Sequence, residues 1–144
     1  MINESEDNFS INLGQDKKVL VIEEIEDDAS LRNVLHDKLN LEGFRVLDAQ
    51  NGASGLAIAL REHPDLILLD IKMPDMDGIT MMKKLRETNE WGKNVPIILL
   101  TNLSPDDEKI NQAIADNEPA YYLVKADLKI GDLVEKIKDR LSRK

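Results

Sequence analysis

Four groups of side chains able to do ionic or nucleophilic chemistry follow short apolar runs in this sequence. Glu23, Glu24, Glu26, Asp27 and Asp28 form an acidic stretch after Val19–Ile22. Asp70 follows Leu66–Leu69, Thr101 and Asn102 follow Val95–Leu100, and Lys125 follows Tyr121–Val124. Carboxylates so close in sequence repel one another unless a cation compensates them. Oxygen donors without cysteine or histidine suit Mg²⁺, a hard cation that often works with phosphates. Mg²⁺ and a lysine together can stabilise the charge of a transferring phosphoryl group. A carboxylate can be the nucleophile, giving an aspartyl phosphate. Thr101 could then donate its hydroxyl to a phosphoryl oxygen. Taken singly, each feature has a plainer reading: a strand-end Asp as a turn residue, an acidic run as a solvated loop, a lysine as a surface cation. Their convergence at four strand ends is what points to chemistry.

That convergence depends on the elements between them. The apolar runs Val19–Ile22, Phe44–Leu47, Leu66–Leu69, Val95–Leu100 and Tyr121–Val124 mostly lack polar alternation, as expected for strands buried on both faces of a parallel sheet. Helical stripes separate and follow them: Leu31, Val34, Leu35 and Leu39; Leu56, Ala57 and Leu60; Ile79, Met82 and Leu85; Ile110, Ala113 and Ile114; Ile130, Leu133, Val134, Ile137 and Leu141. Ser104-Pro105-Asp106-Asp107 reads as a helix start, with a capping Ser, a Pro at the first helical position and acids in the first turn. Strand and helix thus alternate five times. The expected fold is α/β: a flavodoxin-like, doubly wound (βα)5 three-layer sandwich with a parallel five-stranded sheet of order 2-1-3-4-5. Ligands of such sheets bind beyond the carboxyl ends of the strands, near the switch between the first and third.

The 144 residues suit one domain, and 42% hydrophobic content suffices for a core. Nineteen Lys and Arg against 28 Asp and Glu give a net charge of −9. Such a surface repels nucleic-acid backbones and anionic membranes. No cysteine is present, which excludes disulfides and thiolate metal sites. No apolar run approaches the ~20 residues of a membrane span, and the polar start is unlike a secretory signal. A cytoplasmic location is expected. Residues 1–16 are expected to be a disordered tail or a cloning remnant, and residues 17–144 the folded domain.

The stretch Leu66-Ile67-Leu68-Leu69-Asp70-Ile71-Lys72-Met73-Pro74-Asp75-Met76-Asp77-Gly78 resembles the acceptor segment of bacterial response-regulator receiver domains, of the single-domain chemotaxis type. The resemblance runs from about Lys17 to Leu141. It implies Asp70 as phospho-acceptor, Thr101 as the switch hydroxyl, and Lys125 as the lysine pairing with the acyl phosphate. It implies Tyr122 as the aromatic that swings inward on activation, and the Lys72 backbone carbonyl as a Mg²⁺ ligand beside Asp70. Asn51-Gly52 and Gly55-Leu56 resemble the start of the second helix.

Three departures stand out. Counted from the first strand, the metal-binding acid pair is Glu23-Glu24; counted back from Leu31-Arg32, it is Glu26-Asp27. The counts differ by three residues. Sliding the strand would bury two carboxylates, so the strand is expected to end near Ile22 and the loop to bulge. Glu24 and Asp27 are favoured as ligands, with Glu23 and Glu26 as alternatives. Ala126 replaces the usual Pro after the lysine, so a trans bond is expected there. Asn117-Glu118-Pro119-Ala120 replaces the usual Gly-Ala before the fifth strand, altering the face of the fourth helix and fifth strand.

The expected function is a stand-alone receiver, not an enzyme beyond assisting its own phosphorylation and dephosphorylation. It would take a phosphoryl group from a sensor histidine kinase or histidine phosphotransfer protein. With the last stripe closing the chain, an unidentified output protein would be reached by contact, without DNA or membrane binding. The molecule would be a monomer or a weak dimer through the fourth-helix, fifth-strand and fifth-helix face. A phosphorylation-independent pseudo-receiver is the alternative. A Mg²⁺-dependent phosphatase is disfavoured, because Lys72 occupies the place of that class's second Asp. His36 and His63 are expected at the surface, Trp91 as a packing anchor in a polar connection, and Met73, Met76, Met81 and Met82 as core filling.

Overall fold

A computed structural model describes residues 17–23, 30–73, 75–101, 108–125 and 128–142. The elements are β1 (Lys18–Ile22), α1 (Ser30–Leu41), β2 (Arg45–Ala49), α2 (Gly52–Glu62), β3 (Leu66–Asp70), α3 (Gly78–Thr88), α4 (Glu90–Asn94), β4 (Ile97–Thr101), α5 (Glu108–Asn117), β5 (Tyr121–Val124) and α6 (Ile130–Ser142). All pairings are parallel and the strand order is β2-β1-β3-β4-β5. This is the doubly wound sheet expected from the sequence. Every strand therefore ends at the same rim, where Glu23, Asp70, Thr101 and Lys125 lie.

Successive side chains of a strand point to opposite faces, and here both faces are covered. Leu20, Ile22, Ile67, Leu69, Ile97 and Leu99 pack with Ala59 of α2 and Met81, Met82 and Leu85 of α3. Val19, Val21, Leu66, Leu68, Ile98 and Leu100 pack with Leu35 and Leu39 of α1 and with Leu133, Val134 and Ile137 of α6. Two-sided burial is the physical reason these strands read as continuous apolar runs.

Several boundaries differ from the sequence expectation. The second strand begins at Arg45, one residue after Phe44. Gly43, at φ 92°, ends α1, while Phe44 N–H reaches the Leu39 carbonyl and Gly43 N–H that of Asn40, both at 3.1 Å. This is a Schellman cap with Phe44 packed beside Leu39, so Phe44 belongs to the helix stop. The fourth strand starts at Ile97 rather than Val95. Val95 donates to the Trp91 carbonyl at the end of α4 (2.9 Å), and Pro96 has no N–H to give. The connection around Trp91 holds a one-turn helix, capped by the Asn89 side chain accepting from Gly92 N–H at 2.7 Å.

Two of the stripes also need correction. Val34 is 51% exposed, leaving Leu35 and Leu39 as the buried line among the described side chains of α1. On α2 Ala57 is exposed and the buried line is Gly52, Gly55 and Ala59. Met73, Met81 and Met82 fill the core as expected, with Met76 half-buried against it. Trp91 is a packing anchor: it stacks on the exposed His63 ring, centroids 4.4 Å apart, and donates to the Pro64 carbonyl. His36 is half-buried and meets Asp48 at 2.7 Å.

The end of the sheet away from the rim is held by Arg86. Its guanidinium donates to the carbonyls of Val95 (2.7 Å), Gly92 (2.9 Å), Asn117 (2.9 Å) and Glu118 (3.2 Å). One side chain thus ties α3 to the entrance of β4 and to the carboxyl end of α5, which has no basic residue in its own last turn. Arg86→Met keeps the stem and removes the donors. It is expected to lower the unfolding free energy by about 2–4 kcal/mol in urea denaturation; an unchanged midpoint would show that the brace contributes nothing.

Candidate functional site

β3 is buried at all five positions, ending in a carboxylate. Asp70 is the one buried charged residue among the described residues, 4% exposed. Isolated ionised carboxylates are costly to bury, so such a group needs a partner. Lys125, directly after β5, brings Nζ to 2.7 Å from Asp70 Oδ2. The same ammonium lies 3.9 Å from Glu23 Oε2. Side-chain exposures of 5%, 12% and 13% for Asp70, Lys125 and Glu23 mark a largely desolvated group. Among the described residues, two carboxylates share this ammonium.

Glu23 owes its place to the end of β1. The strand stops at Ile22, as expected, and Glu23 N–H continues the ladder to the Ala49 carbonyl of β2 at 3.1 Å. Of the acids proposed for metal binding, Glu23 is the one brought beside Lys125. Glu24, Glu26 and Asp27 lie outside the described residues, as does Ala126. Thr101 closes β4, paired with Val124, one position beyond Leu100, which pairs with Asp70. Tyr122 is in register with Leu99. Its side chain is half-buried against the α2/α3 face of the core, with its hydroxyl oxygen inside.

The segment after Asp70 turns tightly to reach α3. Lys72 N–H points to Asp70 Oδ1 at 3.3 Å, leaving the lysine side chain exposed. Gly78 N–H returns to the Ile71 carbonyl at 2.7 Å. A Cβ on Gly78 would collide with the backbone carbonyl of Asp70 itself, so only glycine lets α3 start this close to Asp70. Asp77 caps α3 by accepting from Thr80 N–H at 2.7 Å. Asp75 turns the other way and accepts from Gly52 and Ala53 N–H at the start of α2, at 3.0 and 2.9 Å. These two backbone donors, Ala53 first, hold its carboxyl below the ordinary range. The sequence reading passed over Asp75; its signal was an acid one turn-length from a helix start whose partner lies 22 residues away.

Among the described residues no three His, Cys, Asp or Glu side chains cluster as a metal site. The oxygen donors of Asp70 and Glu23, hard carboxylates close together at the rim, nonetheless fit a hard divalent ion. Cavities of about 420 and 460 Å³ lie at the opposite end of the sheet around Val95 and Pro96. They contain none of these groups. The described rim residues thus form a charged group at the carboxyl ends of the strands, suited to a small, highly charged ligand.

The response regulator receiver domain model matches residues 19–138. The chain belongs to this family. Receiver domains are signalling modules of two-component systems, phosphorylated on an aspartate and binding Mg²⁺ in the active site. This receiver is similar to the "Probable transcriptional regulator ycf27" of Porphyridium aerugineum, 41% identical over 96 residues, covering 67% of this chain and 37% of that protein. The match spans about a third of the length of such curated relatives. Among solved structures it is similar to a CheY-like response regulator receiver domain protein from Methanospirillum hungatei JF-1. There identity is 27% and the TM-score 0.75, with 88% of this chain and 94% of that one covered. It also shares the fold of the receiver domain of sensor histidine kinase PA1611 from Pseudomonas aeruginosa PAO1, solved with magnesium coordinated in its active-site cleft. In that case identity is 24% and the TM-score 0.72, covering 88% and 98%. No helix among the described residues is long and apolar enough to cross a membrane.

If Lys125 is what allows Asp70 to remain charged at the strand end, removing it leaves an uncompensated buried carboxylate. Lys125→Met is expected to cost about 2–4 kcal/mol of stability in urea denaturation. Adding Asp70→Asn should recover most of that loss. A double variant no more stable than Lys125→Met alone would show that the ammonium is not compensating this carboxylate.

Proposed function

We propose that this receiver takes a phosphoryl group on Asp70 from the phosphohistidine of a sensor histidine kinase or a histidine phosphotransfer protein. It would act in the cytoplasm as a stand-alone module and signal by protein–protein contact. The observation that carries this reading is the 2.7 Å contact of Lys125 Nζ with the buried Asp70 carboxylate, with Glu23 on the same ammonium. A carboxylate oxygen of Asp70 attacks phosphorus, the phosphorus–nitrogen bond breaks, and the imidazole leaves with its electron pair and takes up a proton. Lys125 exchanges its carboxylate partner for a phosphoryl oxygen and holds the charge that develops there. Thr101 hydrogen-bonds another phosphoryl oxygen, and the inward Tyr122 follows the repacking of the α5–β5 surface.

Bound Mg²⁺ would offset the charge of the phosphoryl oxygens. Asp70, the Lys72 backbone carbonyl and acids of the 23–28 stretch would hold it: Glu24 and Asp27 by the counting argument, Glu23 by its place beside Lys125, with Glu26 as the remaining alternative. The output partner, unidentified, would bind the α5–β5–α6 face, through which a weak dimer could also form. A net charge of −9 argues against direct DNA contact.

Incubation of the chain with acetyl phosphate and Mg²⁺ tests the reading. Intact mass spectrometry should show the gain of one phosphoryl group. That gain should be lost in Asp70→Asn and on chelation of the metal. An unchanged mass, with no spectral response to beryllofluoride, would instead indicate an interaction module that works without phosphorylation.

A further inference from the structure

The rim has two walls that touch the reacting group from different parts of the chain. One carries Glu23, whose amide is fixed to the Ala49 carbonyl at the end of β2. The next turn of that wall is Asn51 and the start of α2. The other wall is the segment after Asp70, which carries the Lys72 carbonyl. This second wall is fastened to its own helix by the Gly78 N–H to Ile71 bond and by the Asp77 cap. Neither bond relates it to the first wall.

Asp75 supplies that relation. Each carboxylate oxygen takes one backbone N–H at the start of α2, Gly52 to Oδ1 and Ala53 to Oδ2. A carboxylate across a helix amino terminus is also favoured by the helix dipole. The two segments close directly below it: a Cβ on Gly52 would lie 2.6 Å from the Met76 carbonyl oxygen and 2.8 Å from Met76 Cβ. The seam is tight, and Asp75 is the charged side chain that fastens it among the described residues.

We propose that Asp75 is a positioning residue for phosphoryl acceptance, clamping the acceptor segment to the start of α2 and so setting the spacing of the two walls for the metal and the phosphoryl group. Asp75 touches neither the reacting oxygen nor Lys125 in any contact described. It is solvent-exposed, so truncating it empties no core volume. This separates positioning from stability. The proposal rests on the reading of Asp70 as the acceptor and of its rim as the Mg²⁺ site.

The test uses the full chain, Asp75→Ala and Asp75→Asn, with Asn89→Ala as a control that loses a helix cap away from the rim. Two quantities are read: the Mg²⁺ concentration at half-saturation, followed by the amide NMR shifts of Ile71 and Lys72, and the acetyl-phosphate rate at saturating Mg²⁺. Asp75→Ala should raise the Mg²⁺ midpoint roughly tenfold and slow the saturated rate, with a thermal midpoint close to that of Asn89→Ala. Asp75→Asn, which keeps one acceptor oxygen, should fall between. Asn89→Ala should keep the parent's Mg²⁺ midpoint. An Asp75→Ala protein with the parent's Mg²⁺ midpoint overturns the proposal, whatever its stability. Mg²⁺ binding in the parent without phosphoryl uptake would count against the acceptor reading alone, and the Mg²⁺ midpoints would still decide the role of Asp75.

Discussion

Burying a carboxylate at the end of a strand covered on both faces demands a cation beside it. Here Lys125 answers Asp70 from the far side of β4. The two residues are 55 positions apart in sequence, so the pairing exists only when the whole right half of the sheet is assembled. Parallel strands all end at one rim, and β5 lies two places from β3; the stem of a lysine is long enough to cross the end of β4. An antiparallel arrangement would have sent Lys125 to the opposite edge. The ion pair, the strand order and the site are in this sense one constraint. Such a pair does not earn its place through stability, since buried ion pairs often do no better than apolar residues of similar size. It leaves instead a carboxylate and a cation in contact, able to exchange partners when a charged group arrives.

The two ends of the sheet are built differently. At the rim, among the described residues, charged side chains meet: Asp70, Lys125 and Glu23. At the other end Arg86 gathers four carbonyls from two connections, and the His63 and Trp91 rings stack beside them. α5 links the ends: its last carbonyls are capped by Arg86, while its first turn follows the segment leaving Thr101.

Much of this was legible in the sequence because two-sided burial writes itself as unbroken Val, Ile and Leu runs. β3, with all five positions buried, is the clearest case, and the residue after its last apolar position is the acceptor candidate. The errors came where a local bond overrode an apolar residue's apparent membership. Phe44 looks like the first residue of a strand, yet it serves the cap of α1. Val95 looks the same and closes a one-turn helix too short to show any period. Val34 stands at helical spacing from Leu31 yet faces solvent. The acidic stretch gave two incompatible counts because spacing alone cannot say where a strand stops. The ladder bond from Glu23 to Ala49 marks that stop and carries Glu23 toward Lys125. Asp75 was overlooked because its partners, Gly52 and Ala53, offer only backbone groups, which leave no trace in residue type.

The central claim is that Asp70, Lys125 and the acids after β1 form one phosphoryl- and metal-holding group. A crystal structure of the chain with Mg²⁺ and beryllofluoride tests it most directly. The account predicts beryllofluoride on an Asp70 carboxylate oxygen, Lys125 Nζ moved from that carboxylate to a fluorine, and Mg²⁺ touching Asp70 and at least one acid of the 23–28 stretch. A site in which Lys125 keeps its contact with an unmodified Asp70, with Mg²⁺ absent from those acids, would contradict it.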